Sequence, residues 1–171
     1  MKTLQNYLTE SLSGINKNFI KEILDGSGRD FLTVDDLTSN DEFEDLIEET
    51  SSICVDYLID ASDKNWSDED TINKLYNNGK LCKELAGLGW GAANPKDGIW
   101  SGHTGKDYFW KCFQLNLLGV KTDLCINLVT QVDEEHGTEF FIEFGQFDTK
   151  KHKPVSNMML FCMDINGYDL V

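Results

Sequence analysis

The spacing of apolar residues changes once along this 171-residue chain, near residue 90. Before that point apolar side chains recur at steps of three and four, as on one face of a helix; after it they alternate strictly, as on one face of a strand. Helices first and strands afterwards define an α+β fold, with N-terminal acidic helices packed on a C-terminal antiparallel meander of about four strands. A chain of this length hides roughly 70% of its extended surface in one core. Its 40% apolar and 11% aromatic content is enough to fill one. A single domain over 1–171 is expected. It divides into a leader or short helix at 1–12, a helical half at 13–86, a Gly/Trp-rich loop at 87–105 and a sheet at 106–171.

In the helical half, Ile15, Phe19, Ile20, Ile23 and Leu24 follow Ser13 at helical spacing, and Gly26 supplies a stop. Phe43, Leu46, Ile47, Thr50, Cys54, Tyr57, Leu58 and Ala61 form a longer stripe, with Ser39 and Glu42 placed as a capping box at its start. A second capping box, Ser67 to Asp70, opens one further helix through Ile72, Leu75, Tyr76, Cys82, Leu85 and Ala86.

Beyond residue 105, Phe109, Phe113, Leu115 and Leu117 share a face. So do Leu124, Ile126, Leu128 and Val132, then Phe140, Ile142 and Phe144, then Met158, Leu160 and Cys162. Gly119 and the run Glu134 to Gly137 separate the first three strands, connections too short for parallel crossovers. The opposite face carries Trp110, Cys112, Val129 and Phe141, so part of it should be covered or used. Asn166 and Gly167 favour a tight turn near the C-terminus.

Charge is distributed unevenly over this frame. Residues 30–70 hold fifteen Asp and Glu against Lys64, a net -14 within a total of -15. Residues 71–171 hold twelve acids and ten lysines, and Arg29 is the sole arginine. Such a field repels nucleic acid, anionic lipid and phosphate ligands, and attracts basic protein surfaces. A binding partner is therefore expected rather than a reaction, with no direct nucleic-acid or membrane contact and no cofactor. On the second helix Glu42, Asp45, Glu49, Asp56 and Asp60 recur at mostly helical steps. Carboxylates one turn apart stand about 5–6 Å from each other, a separation like that of phosphates along a DNA strand.

Signals for catalysis are sparse. Cys54, Cys82, Cys112, Cys125 and Cys162 are odd in number and lie in apolar runs, so they read as reduced thiols, and no CxxC pair offers a zinc site. Serine nucleophile elbows, HExxH and Walker sequences are absent, and the acidic segment lacks the glycine and terminal glutamate of an EF-hand loop. His136-Gly-Thr138 matches an H-x-T element of two-histidine phosphodiesterases, but neither His103 nor His152 supplies the second copy. Glu139 and Glu143 share a strand face and form a conceivable acid/base pair. His152 sits among Lys150, Lys151 and Lys153, the basic cluster of the chain.

Six of fourteen glycines fall in the 87–105 loop, together with Trp90, Asp97, Trp100 and His103. Gly87, Gly89 and Gly91 follow a helix and precede a strand, the reverse of the order a phosphate-binding loop needs. A Trp-bearing loop of this kind suits a sugar or a peptide, or is pinned to the core by its tryptophans.

The opening Met1-Lys2-Thr3-Leu4-Gln5-Asn6-Tyr7-Leu8-Thr9-Glu10-Ser11 resembles the capsid-targeting leader of T-even-type phage internal head proteins. Leu8-Thr9-Glu10 stands at the aliphatic-x-Glu cleavage site, while Leu4 replaces the family's aromatic residue. The resemblance implies a phage protein packaged in the head and delivered to a host cell, in a family some of whose members block host restriction enzymes. The leading functional expectation is thus a non-catalytic inhibitor that acts in the bacterial cytoplasm. Its acidic helix would fill the basic nucleic-acid channel of a host defence enzyme. An immunity protein for a basic toxin is a variant of it. A small-ligand binder or enzyme centred on Trp90, Asp97, Trp100 and His103 is the alternative.

Overall fold

The alternating runs become four long antiparallel strands, and the helical half covers one of their faces. The computed structural model describes residues 17–38, 40–62, 69–93, 98–102, 107–133 and 137–164. Helices α1 (Lys17–Ser27), α2 (Val34–Leu37), α3 (Asp41–Ser62), α4 (Glu69–Tyr76) and α5 (Gly79–Gly87) precede the strands. These are β1 (Trp90–Ala92), β2 (Trp100–Gly102), β3 (Asp107–Leu117), β4 (Val120–Asp133), β5 (Gly137–Asp148) and β6 (Lys153–Asp164). The sheet order is β1-β3-β4-β5-β6, with β2 also paired to β3, and every pairing between these strands is antiparallel. The fold is α+β, with the four-strand meander extended by two short strands drawn from the 87–105 segment.

Period two dictates the core. Phe109, Phe113, Leu115, Leu117, Leu124, Ile126, Leu128, Phe140, Ile142 and Phe144 point to the helices and are buried there. From the helices come Ile20, Leu46, Cys54, Leu58, Ile72, Leu75, Tyr76, Leu81 and Leu85. At the β3–β4 hairpin, Leu118 (φ 51°) and Gly119 (φ 85°) both take positive φ, the type I′ geometry that matches strand twist.

The N-terminal segment is tied down by polar chemistry. Leu32 makes a parallel bridge to Thr122, and Asp123 Oδ1 accepts from Val34 N at 2.9 Å, so a β4 carboxylate caps α2. Thr33 and Asp36 form a capping box on the same short helix, and Arg29 grips Asp36 through both oxygens at 3.1 and 2.9 Å. Desolvation pushes the Asp36 carboxyl up, but the Thr33 N–H and hydroxyl and the Arg29 guanidinium outweigh it and hold it below the usual carboxylate range.

Three sequence expectations about helix limits change. Helix α1 runs through Gly26 and ends at Gly28 (φ 70°), whose N–H reaches Leu24 O at 2.9 Å; a glycine stops a helix where it supplies a left-handed residue, not merely by being present. Asn40 rather than Ser39 caps α3, its Oδ1 accepting from Glu42 N at 3.0 Å, while Ser39 lies outside the described residues. The single helix expected after Ser67 is two, α4 and α5; Ser67 itself is outside the described residues. At the break, Asn78 Oδ1 accepts from Lys80 N at 2.9 Å and from Leu81 N at 3.4 Å, starting a new helix. Asn78→Ala should therefore lower stability by about 1 kcal/mol and the melting midpoint by roughly 3 °C. A calorimetric midpoint within error of the unaltered protein would show that the cap contributes nothing.

Residues 1–16, which include the leader-like segment, Ser13 and Ile15, lie outside the described residues, as do Asn166 and Gly167. No helix among the described residues is long and apolar enough to cross a membrane.

Candidate functional site

Helix α3 is the densest acidic element, with eight Asp and Glu and no Lys or Arg in its 22 residues. Phe43, Leu46, Thr50, Cys54 and Leu58 bury one side of it, and Ile47, Ile53, Val55 and Tyr57 are half-buried along the flanks. This packing fixes which acids meet solvent. Asp41, Asp45, Glu48, Ser52, Asp56 and Ile59, stepping by three or four residues, are all exposed, with exposed Glu44 beside them. The stripe from Asp41 to Asp56 runs about 22 Å along the axis at the helical rise.

Asp45 and Asp56 are where the sequence placed them. Glu42 and Glu49 are instead half-buried on one flank, and Asp60 lies within the helix with its side chain outside the described residues. Asp41, Glu44 and Glu48 were missed. The row Glu42, Asp45, Glu49, Asp56 was read opposite an apolar stripe that included Tyr57; the structure leaves Tyr57 half-buried and so rotates the solvent face toward Asp41 and Glu48. Alternating steps of four and three from Asp41, through Asp45 to Glu48, were the available signal.

Several carboxylates on this face repel one another. Asp41/Asp45 and Glu44/Glu48 are like-charge pairs at i, i+4, each costing a few tenths of a kcal/mol. Asp41, Glu42 and Glu44 recover part of that at the helix N-terminus, where the macrodipole favours anions, but no basic residue complements the last turn. Ile59, 46% exposed, adds an apolar point at the C-terminal end of the stripe. A row of carboxylates that ends at one exposed aliphatic side chain has the make-up of a contact for a basic surface.

The 87–105 segment is not the open loop its glycines implied. β1 zips Trp90 to Leu115 and Ala92 to Phe113, while β2 sets Trp100 opposite Trp110. Gly89 (φ 104°) permits the turn into β1, and a Cβ there would stand 2.5 Å from Asn116 O. Trp90 is 1% exposed, meets Phe144 edge-on, and donates through Nε1 to Thr50 Oγ1 at 2.8 Å. It is a core side chain and cannot touch a ligand. Asp97 and His103 lie outside the described residues. Lys111, fully buried on β3, donates through Nζ to Asn77 Oδ1 at 2.8 Å and to Gly98 O at 3.1 Å, joining the α4–α5 break to the segment leading into β2.

Trp100 goes to the outer sheet face, away from the helices. There Ala93, Cys112, Cys125 and Phe147 make a small second core; of the apolar residues expected on that face it takes in Cys112, while Val129 is buried outside it and Trp110 and Phe141 are half-buried. Beside it Trp100, Trp110 and Tyr108 remain half-exposed, with ring centroids 6.1 Å apart for Trp100–Trp110 and 5.5 Å for Tyr108–Trp110. Tyr108 OH donates to Glu143 Oε1 at 3.4 Å, and burial holds the Glu143 carboxyl above its usual range despite that bond.

Glu139 is exposed and sits four residues from Glu143 on β5, about 13 Å away at strand rise. That separation is too large for the two to act on one bond. His136 is outside the described residues, and exposed His152 packs edge-on against Phe147. The Cys54, Cys112 and Cys125 thiols are buried and that of Cys82 is half-buried, none of the four in a disulfide; burial pushes the Cys54 thiol up to about 12. No cluster of three metal-ligating side chains occurs among the described residues. Comparison of the chain with protein families, curated proteins and solved structures finds no match to any of them.

Proposed function

We propose that this protein is a non-catalytic acidic interaction protein whose α3 helix occupies a basic, nucleic-acid-binding surface of a partner enzyme. The observation that carries this reading is the exposed stripe Asp41, Glu44, Asp45, Glu48 and Asp56 on one continuous helix free of basic residues. Regularly spaced carboxylates stand in for phosphates, and a rigid helix presents them without the ordering cost of a flexible acidic tail. The retention of repelling i, i+4 pairs on an exposed face fits selection for binding rather than for helix stability. The phage-type leader sequence supports a host defence or nucleic-acid-processing enzyme as the target, met in the bacterial cytoplasm.

The test is capture from bacterial lysate on immobilised protein, eluted first with a salt gradient and, in parallel, with duplex DNA. A nucleic-acid enzyme released both by a few hundred millimolar salt, where screening shortens the Debye length to about 5 Å or less, and by DNA is the expected result. Capture that DNA cannot displace would mean that the partner is held elsewhere than in its nucleic-acid channel.

A further inference from the structure

The molecule exposes two surfaces of opposite sign, and the α3 reading uses only the acidic one. The other is the tip of the β5–β6 hairpin, where Lys150, Lys151, His152 and Lys153 are all exposed. Asp148 Oδ1 accepts from Lys150 N and from Lys151 N at 2.9 Å each, and His152 (φ 54°) turns back edge-on against the buried Phe147. The turn is thus held in one shape and presents its lysines at little ordering cost. Among the described residues none of the three lysines makes a salt bridge.

An antiparallel meander brings alternate turns to the same end of the sheet, so the β3–β4 turn stands beside this tip. With neighbouring strands about 4.8 Å apart, the two turns are about 10 Å from each other. Leu118 projects from the β3–β4 turn, 51% exposed at a φ of 51°. Leucine is a poor choice there for folding, since its side chain meets solvent and asparagine or glycine fits the backbone better. Helix α3 offers the counterpart. Its carboxylate row ends at Ile59, and Ile59 and Leu118 are the two large hydrophobic side chains exposed among the described residues. With Leu118 set on Ile59, a point about 10 Å back along the helix is level with Ser52, between Glu48 and Asp56. The lysines of the neighbouring tip therefore fall between two exposed carboxylates. Two copies at -15 each repel as whole bodies. At physiological salt the Debye length is about 8 Å, so distant charges are largely screened and the groups in contact decide.

We propose that the β5–β6 tip and Leu118 of one copy dock on the α3 stripe and Ile59 of a second copy, covering the face that the partner enzyme would take. The proposal rests on the reading of α3 as a contact for a basic surface, and makes the protein's own basic tip a competitor for it. The contact is head-to-tail, which leaves one tip and one stripe free in every dimer, so association runs past two copies or closes into a ring. A partner surface with more cations than the tip displaces it.

Sedimentation equilibrium of the full chain at physiological salt, from about 10 μM to about 1 mM, reads the association. The weight-average mass should start at 19.4 kDa and at least double over that range. In about 1 M salt, where the Debye length is about 3 Å, it should stay at the monomer value. Lys150→Gln, Lys151→Gln and Lys153→Gln together should leave a monomer, and so should Asp45→Asn, Glu48→Gln and Asp56→Asn, with melting midpoints close to that of the unaltered protein. Each of these two variants keeps the half that the other lacks. Mixed in equal amounts they should form a dimer that goes no further. An unaltered chain that stays monomeric throughout, a lysine variant that associates undiminished, or a mixture of folded variants that remains monomeric would each overturn the proposal. Capture of the partner enzyme from lysate separates this contact from the α3 reading, because the lysine variant should capture at least as much of it. Capture without self-association rejects the docking alone; self-association without capture upholds the docking and rejects the enzyme as partner.

Discussion

Reversing three exposed carboxylates of α3 with Asp45→Lys, Glu48→Lys and Asp56→Lys abolishes partner binding, with a loss on the order of a thousandfold in affinity. Each change removes one attraction and adds one repulsion against the same basic surface, and couplings of about 1.5 kcal/mol or more per close charge pair make three of them sufficient. The three side chains are exposed on a continuous helix, and lysine is as good a helix former as glutamate, so the melting midpoint should stay within a few degrees. Glu42 and Glu49 are left alone because they are half-buried, and Asp41 because it lies in the first turn, where lysine would oppose the macrodipole. The control is a second triple variant of equal charge, Glu22→Lys, Asp25→Lys and Asp30→Lys, at exposed positions outside α3. It should retain most of the affinity. If both variants lose binding equally, bulk charge rather than the α3 stripe holds the partner; if neither does, α3 is not the contact.

The second large effect is on stability. Trp90→Ala should cost about 3–5 kcal/mol and lower the melting midpoint by roughly 10 °C or more. Trp90 is buried where α3, β1 and β5 meet: its ring lies against Phe144, and its Nε1 donates to Thr50 Oγ1, which itself donates to Leu46 O at 2.7 Å. Removing it opens a cavity between the helices and the sheet and takes away the donor to Thr50 Oγ1, which keeps its own bond to Leu46 O. Thr50→Val keeps the volume but leaves the Trp90 N–H buried without its acceptor, for a smaller loss of about 1–3 kcal/mol. The pair should be non-additive, since the hydrogen bond is absent once either partner is gone. A Trp90→Ala midpoint within about 2 °C of the unaltered protein would mean that β1 is not part of the cooperative unit.

Residue 90 also shows how far local pattern reaches. Six glycines and two tryptophans between 87 and 105 have no periodicity to follow, so the segment reads as a loop. The strands appear only when β3 offers its edge to Trp90–Ala92 and Trp100–Gly102. Period two, by contrast, runs along most of β3 to β5, interrupted by register shifts at Gln114/Asn116 and around Gly145, and the faces of Phe113, Ile126, Ile142 and Phe144 were legible because a strand that slips by one residue turns its apolar set to solvent. The α4–α5 break was missed for a related reason. Apolar steps continue through Tyr76 to Leu81, while the decision to stop is made by Asn78 Oδ1 and by Lys111, a buried side chain on a strand more than thirty residues away.

Two properties thus belong to the sequence alone. The change of apolar period settles helices before strands and a meander of antiparallel partners, because each element's apolar face is written into its own residues. The concentration of charge over 30–70 marks α3 as the acidic element, because charge needs no partner to exist. Which carboxylates meet solvent, and which tryptophan stays half-exposed, only the tertiary structure decides. Both depend on how far a neighbouring element rolls a helix or covers a sheet face, and Asp41 and Glu48 come to the surface because the β-sheet and α5 claim the opposite side of α3.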